Sequence, residues 1–174
     1  MVVLKTGGGA GFVRAVEAHL DSRDVSRVIY GAIIGLALVV ALQEHPPTPG
    51  HMAAALIASA VAVGLAEVYS EFVGTEAHTQ RHLRPAEVRT LLLDAGAVTL
   101  GAAFPAVFFL LAGLDVLTLD TAFDLAKWTG LGLISTYGFL AARLAGSGPG
   151  VALLHAAAVG AIGGVLIGLK AVLH

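Results

Sequence analysis

Three ionisable residues interrupt otherwise apolar stretches of the chain and are the first candidates for chemistry. They are Glu67, Asp94 and His155. Ionisable side chains at membrane depth are costly, and they usually face a bundle interior or a functional pathway. Carboxylate oxygen and imidazole nitrogen are ligands that Mn²⁺, Fe²⁺ and Zn²⁺ accept, and the same groups relay protons. The pattern therefore predicts a divalent-cation site or a proton pathway.

Further polar residues extend this candidate site. Glu71 lies four residues after Glu67 and hence on the same helix face. Counting about 1.5 Å per residue from the cytoplasmic ends of the predicted spans places Glu67, Asp94 and His155 in one layer. The predicted metal ligands are Glu67, Glu71, Asp94 and His155. The predicted helper residues are Tyr30, Tyr137 and His78.

These residues also have interpretations without a site. Asp94 can pair with Arg89 or Arg27, and His155 can form an ordinary interhelical hydrogen bond. Glu67 has the longest apolar lead-in, which favours a functional role. A solvated loop is favoured over a metal site for His78 and His82, although their i, i+4 spacing on a helix could hold a metal.

The elements that position these residues are predicted to be membrane-spanning helices. The chain has 174 residues, of which 57% are hydrophobic and 13% are charged, whereas soluble domains have about 25% charged residues. A bilayer core about 30 Å thick needs roughly 20 helical residues. Five apolar runs approach that length, and Pro105 is expected to kink the third. The predicted spans are, approximately, 27–43, 51–73, 90–114, 121–143 and 150–173.

The basic residues predict an orientation. Eight of the ten lie on one side of a five-span arrangement, and positive residues stay in the cytoplasm. The predicted fold is therefore an all-α, multi-pass cell-membrane protein with five spans, its N-terminus inside and its C-terminus outside. Residues 1–26 form a cytoplasmic segment with a short amphipathic interfacial helix, and residues 27–174 form one transmembrane domain. The eight residues are Lys5, Arg14, Arg23, Arg27, Arg81, Arg84, Arg89 and Arg143.

Composition also limits the partners. The chain has no cysteine and a net charge of −2, so thiolate sites are excluded and no nucleic-acid partner is expected. The expected partners are the lipid bilayer, a divalent cation and a second copy of the chain, with no resident cofactor. Glycines recur at four-residue intervals in the fifth span and in the first, which permits close helix packing within one chain or between copies. They are Gly160, Gly164 and Gly168 in the fifth span, and Gly31 and Gly35 in the first.

The second span carries a local pattern that resembles the vacuolar iron transporter (VIT) family. The stretch of residues 62–70, AVGLAEVYS, is similar to that family's run of small residues followed by Glu, an aromatic residue and Ser. The third span, with its central Pro105, and the end of the fifth span, Gly168-Leu169-Lys170, are also similar. The resemblance implies a dimeric, proton-driven exchanger of divalent cations, with Glu67 in the pathway.

Two features depart from the family's pattern. The first span has Tyr30-Gly31 where the family has Asp-Gly, and the connection 74–89 is short and basic where the iron transporters have a long, glutamate-rich segment. The chain therefore resembles a reduced relative of the family. The leading hypothesis is a small transporter or permeation protein for a divalent cation of the Fe, Mn or Zn class, with Glu67 central.

Other functions remain open at this point. The missing acidic residue and the missing metal-gathering segment favour a non-transporting scaffold or partner subunit. An oligomeric ion channel built on the glycine ridges is a further alternative. An enzyme is not expected, since the sequence has no Gly-x-Ser-x-Gly or His-Glu-x-x-His motif and no cysteine.

Overall fold

All regular secondary structure in the described part of the chain is α-helix. The computed structural model describes residues 22–172, so the predicted amphipathic helix before residue 21 lies outside the described residues. Three of the helices are long and apolar enough to cross a membrane, and a bent pair makes a possible fourth span. The six helices are α1 (Ser22–Leu42), α2 (Pro49–Thr79), α3 (Pro85–Ala103), α4 (Ala106–Gly113), α5 (Leu119–Leu144) and α6 (Pro149–Val172).

Local chemistry sets the helix starts. Pro49 and Pro85 lie in the first turns of α2 and α3, where a missing N–H costs no helical hydrogen bond. The Thr48 hydroxyl accepts a hydrogen bond from the backbone N–H of His51 at 3.4 Å. Thr118 caps α5 in the same way, at 3.2 Å from the N–H of Thr121. Each cap satisfies one backbone donor that the first helical turn leaves unpaired.

The second helix is longer than its predicted span. It continues beyond Val73 to Thr79, and Gln80 then adopts a left-handed conformation with φ 51°. The predicted connection 74–89 is therefore partly helical, and only residues 80–84 lie between α2 and α3. Because the helix ends at Thr79, His78 and His82 do not share a helix. Their i, i+4 spacing consequently does not build the helical metal pair that the sequence suggested as an alternative.

The predicted kink at Pro105 is a break between two helices. The segments α3 and α4 meet at an angle of 50°. Proline has no N–H for the carbonyl four residues before it, and its ring clashes with that carbonyl. Pro105 itself is fully buried, so the break is packed inside the bundle.

The fifth helix lies within the bundle, although its composition is less apolar than that of α1, α2 and α6. It packs against α1, α4 and α6. Seven of its residues are buried at helical spacing, and near α4 the rings of Phe109 and Phe123 meet edge to face at 4.9 Å. The seven are Ala122, Phe123, Ala126, Gly130, Ile134, Gly138 and Ala142. Neighbouring helices therefore cover much of this helix, which reduces the apolar surface that it must present outward.

Helices α1 and α3 approach each other through glycine. A Cβ placed on Gly101 would lie 2.5 Å from the carbonyl oxygen of Val28, and one on Gly35 would lie 2.6 Å from that of Ala102. A Cβ on Gly31 would collide with the carbonyl oxygen of Val98. Glycine at these three positions lets the two backbones touch, and this contact fixes the relative position of two helices that contribute to the candidate site.

Candidate functional site

One arginine gathers three carboxylates from two other helices. Arg27 Nη2 lies 2.7 Å from Glu71 Oε2, and Nη1 lies 2.7 Å from Asp94 Oδ2. Arg27 Nε lies 3.7 Å from Glu67 Oε1, which is an ion pair without a hydrogen bond. We call Arg27, Glu67, Glu71 and Asp94 the Arg27 cluster.

The helices place these side chains by simple spacing. Glu67 and Glu71 are one turn apart on the same face of α2, Asp94 lies in the middle of α3, and Arg27 lies in the second turn of α1. Since α1 begins at Ser22, Arg27 is a helical residue that points at neighbouring helices.

The cluster is only partly shielded. The side chains of Arg27 and Asp94 are 12% and 13% exposed, whereas those of Glu67 and Glu71 are 31% and 33% exposed. Arg27 donates a hydrogen bond to Glu71. Its Nη1 atom is buried and is close to Asp94 without the alignment of a hydrogen bond. The Arg27 guanidinium therefore forms a hydrogen bond with Glu71 and an ion pair without a hydrogen bond with Asp94.

The formal charge of the cluster is negative. Counted at their formal charges, three carboxylates and one guanidinium sum to −2 for these four described side chains. Charges taken out of water are stable only when they are compensated. The surplus leaves room for further positive charge at this position.

A pocket opens beside the cluster. It has a volume of about 530 Å³ and is lined by Ser26, Arg27, Tyr30, Glu67 and Glu71. Tyr30, one of the lining residues, is 51% exposed. Both glutamates line this pocket, whereas Asp94 does not and is only 13% exposed.

The structure does not bring the other predicted site residues to this cluster. His155 is exposed on α6, and its Nδ1 lies 3.1 Å from the carbonyl oxygen of Val151 in the same helix. Tyr137 lines a different, mainly apolar pocket beside Phe104 at the α3–α4 break. His78 is exposed near the end of α2. Within residues 22–172, no group of three or more His, Asp or Glu side chains is arranged to hold a metal ion. The four predicted ligands therefore do not form a ready-made coordination sphere here.

The short connection between α2 and α3 has its own ion pairs. Arg81 donates two hydrogen bonds to Glu87, at 2.9 and 2.6 Å, and His82 Nδ1 lies 3.0 Å from Glu76 Oε1. The hydrogen bonds from Arg81, together with the N–H of Arg84, lower the pKa of the Glu87 carboxyl to about 2. These contacts stabilise the turn, in which Glu87 is paired with Arg81 and Glu76 with His82.

Arg27 is the residue whose role the sequence pattern did not reveal. It counted toward orientation, and it was one of two alternatives for pairing with Asp94. That pairing is confirmed, and Arg27 also reaches Glu67 and Glu71. A signal was present in the sequence: a layer with several acidic residues needs a counter-charge, and Arg27 is the basic residue nearest the start of the first apolar run.

Comparison with known proteins adds no relative. No family model, curated protein or solved structure matches this chain.

Proposed function

We propose that this chain is a five-span membrane protein with its N-terminus in the cytoplasm and its C-terminus outside. The apolar helices α1, α2 and α6 and the bent pair α3–α4 support four crossings. The fifth is α5, whose 26 residues extend about 39 Å at 1.5 Å per residue, more than the bilayer core of about 30 Å. Because α5 packs against α1, α4 and α6, it lies within the same bundle. The distribution of basic residues supports the orientation and a location in the cell membrane.

Cysteine labelling tests this topology, and the chain's own lack of cysteine gives a clean background. We expect His45→Cys and Val116→Cys to react with a membrane-impermeant thiol reagent on intact cells. We expect His82→Cys and Ser147→Cys to react only after the cells are permeabilised. Reaction of Ser147→Cys on intact cells would show that α5 does not cross, because it would place both ends of α5 outside.

Within that membrane domain, the function that the geometry supports best is transport or permeation of a divalent cation. The observation that carries this proposal is the surplus of carboxylate charge in the Arg27 cluster beside an open pocket. Carboxylates at membrane depth mark ion pathways and proton relays, and carboxylate oxygens suit Mn²⁺ and Fe²⁺. Glu67 is the central residue, since it lines the pocket and has the weakest contact with Arg27, at 3.7 Å. Glu71 and Asp94 are the further carboxylates of the pathway.

Metal flux into proteoliposomes tests the transport function. We expect the purified chain to pass Mn²⁺ or Fe²⁺ down its gradient, with a rate that depends on a pH gradient if protons are exchanged. Glu67→Gln removes the charge with little change of shape and is expected to lower the flux at least about tenfold, because even mutation of a residue that only orients a metal ligand typically costs about 10–100-fold. Glu44→Gln, in the α1–α2 connection, is the matched control and should keep wild-type flux. Equal flux in the wild type, Glu67→Gln and empty liposomes would contradict transport.

A second candidate is a non-transporting scaffold or partner subunit. The pairing of Arg27 with all three carboxylates favours it, because ion pairs that join three helices also make sense as a purely structural bond. In that case no flux would occur, and Glu67→Gln would change only stability. The flux experiment therefore separates the two candidates.

We also propose that the chain is a relative of the VIT family and that it forms a homodimer. The second-span pattern and the position of Glu67 support the first. The exposed flank of the pocket supports the second, since two glutamates that are about one-third exposed at membrane depth would be better shielded by a second copy than by lipid.

A further inference from the structure

An exposed groove, which we call the α2–α3 groove, lies between α2 and α3 and is separate from the pocket beside the Arg27 cluster. It has a volume of about 390 Å³. Three of its leucines are more than half exposed, and a Cβ placed on Gly96 would meet nothing within 4 Å. The floor of the groove is therefore open. Its lining includes Val61, Gly64, Leu65, Leu92, Gly96 and Leu100.

The lining of the α2–α3 groove favours an apolar occupant. Thr99 is the one polar side chain among the residues that line it, and its hydroxyl already donates a hydrogen bond to the carbonyl oxygen of Ala95 at 2.9 Å. A molecule in the groove therefore meets aliphatic side chains and glycine. A hydrocarbon chain fits such a surface, whereas a polar molecule would lose hydrogen bonds there.

The α2–α3 groove also has the length and depth of one lipid tail. The stretch of α3 from Arg89 to Leu100 rises about 16 Å, close to half of a hydrocarbon core of about 30 Å. Since α3 begins at Pro85, the groove lies in the half of the membrane nearest the connection 80–84. The proposed topology places this connection in the cytoplasm, so the groove faces the acyl chains of the cytoplasmic leaflet.

An unpaired cation lies at the cytoplasmic end of the groove. Arg89 precedes Leu92 by one turn and Gly96 by two, which places it on the same side of α3, and helical side chains lean toward the helix N-terminus. Arg89 is exposed, and within residues 22–172 its side chain forms no ion pair or hydrogen bond. The nearby acidic residues of α2 and α3 are engaged by Arg27, His82 or Arg81. They are Glu67, Glu71, Asp94, Glu76 and Glu87.

We propose that the α2–α3 groove holds one acyl chain of an anionic phospholipid from the cytoplasmic leaflet, whose phosphate group binds Arg89. A guanidinium binds phosphate oxygens through paired N–H···O bonds, and basic residues beside a membrane attract the anionic lipids of this leaflet. A tail gains little apolar energy in the groove, because lipid is equally apolar. The groove therefore supplies shape, and Arg89 supplies selectivity. The proposal rests on the proposed topology and not on transport.

Native mass spectrometry of the purified full chain in detergent tests the site with phosphatidylglycerol and with phosphatidylcholine of the same acyl chains. We expect the wild type to bind phosphatidylglycerol about fivefold more tightly, the size expected when one basic residue meets an anionic headgroup. Arg89→Gln should remove this preference, whereas Arg89→Lys keeps the charge and should retain most of it. Gly96→Leu should weaken binding of both lipids at least about threefold, because its side chain fills the floor and removes van der Waals contacts of the tail.

Two matched controls separate the site from the rest of the surface. Arg143→Gln makes the same charge change near the end of α5, where Arg143 donates a hydrogen bond to the carbonyl oxygen of Ser147 at 2.9 Å. Gly132→Leu adds the same side chain on α5, where a Cβ also meets nothing within 4 Å. Both should bind the two lipids as the wild type does. Circular dichroism and gel filtration check folding, and if Gly96→Leu is not folded, Gly96→Met, with its more flexible side chain, replaces it.

The outcomes distinguish this proposal from transport. Equal binding of the two lipids by the wild type, or an unchanged preference in Arg89→Gln, overturns the proposal. So does an equal loss of preference in Arg143→Gln, which would show a general effect of cytoplasmic charge. A wild-type dimer that Gly96→Leu dissociates would show that a second copy occupies the groove, and it overturns the proposal as well. Loss of metal flux with an intact lipid preference counts against transport alone.

Discussion

Replacing Arg27 by glutamine is expected to lower the melting temperature of the detergent-solubilised chain by about 4–8 °C when no divalent cation is present. Removing one partner of a fully buried ion pair costs about 3–5 kcal/mol, because an uncompensated charge remains. Glu67 and Glu71 are about one-third exposed, so a smaller loss of about 2 kcal/mol is more appropriate. For a chain of this size each kcal/mol lowers the melting temperature by about 2–4 °C.

The same variant gives a second result that packing alone would not produce. If the three carboxylates then accept a cation, Mn²⁺ should restore much of the lost stability, because a ligand that binds only the folded state stabilises it. Arg27→Gln combined with Glu71→Gln should be more stable than Arg27→Gln alone, since one of the repelling charges is gone. Arg89→Gln should leave the melting temperature unchanged. A wild-type melting temperature in Arg27→Gln would show that the Arg27 cluster contributes nothing to stability.

The helices were largely predictable because their determinants are local. Proline in the first turns of α2 and α3, and threonine before α2 and α5, mark the helix starts. Helices α2 and α5 begin two residues before their predicted spans, and α3 begins five residues before its span. The break at Pro105 follows from the chemistry of that residue alone. The second span was predicted to end at Val73, and α2 continues six residues further into the polar connection 74–89, which the sequence also predicts to be partly helical.

The candidate site was only partly predictable because it depends on contacts between helices. Counting residues from span ends correctly placed Glu67, Glu71 and Asp94 close together, since depth follows from helical rise. It could not give rotation about the helix axis, which is set by packing. Nor could it give which helices are neighbours: α6, which carries the exposed His155, packs against α1 and α5, whereas the carboxylates of the Arg27 cluster lie on α2 and α3. Tyr137 lines the apolar pocket at the α3–α4 break.

The glycine contact between α1 and α3 is expected to be the most sensitive packing position in the chain. A methyl group on Gly101 would lie 2.5 Å from the backbone oxygen of Val28, so Gly101→Ala has to push two backbones apart. Overpacking of this kind costs about 1–3 kcal/mol. Gly31→Ala meets the opposite backbone in the same way and should cost a similar amount. The melting temperature of each variant in detergent measures the loss.

Gly96→Ala on the same helix is the matched control, because a methyl group there meets nothing within 4 Å. It should be neutral or slightly stabilising, since alanine favours helix over glycine. The contact also matters for the site: Arg27 lies one turn before Gly31, and Asp94 lies about two turns before Gly101, so the spacing of α1 and α3 sets how the guanidinium meets Asp94. Gly101→Ala should therefore weaken this ion pair as stability falls. If Gly101→Ala were as stable as Gly96→Ala, the close approach of α1 and α3 would be contradicted.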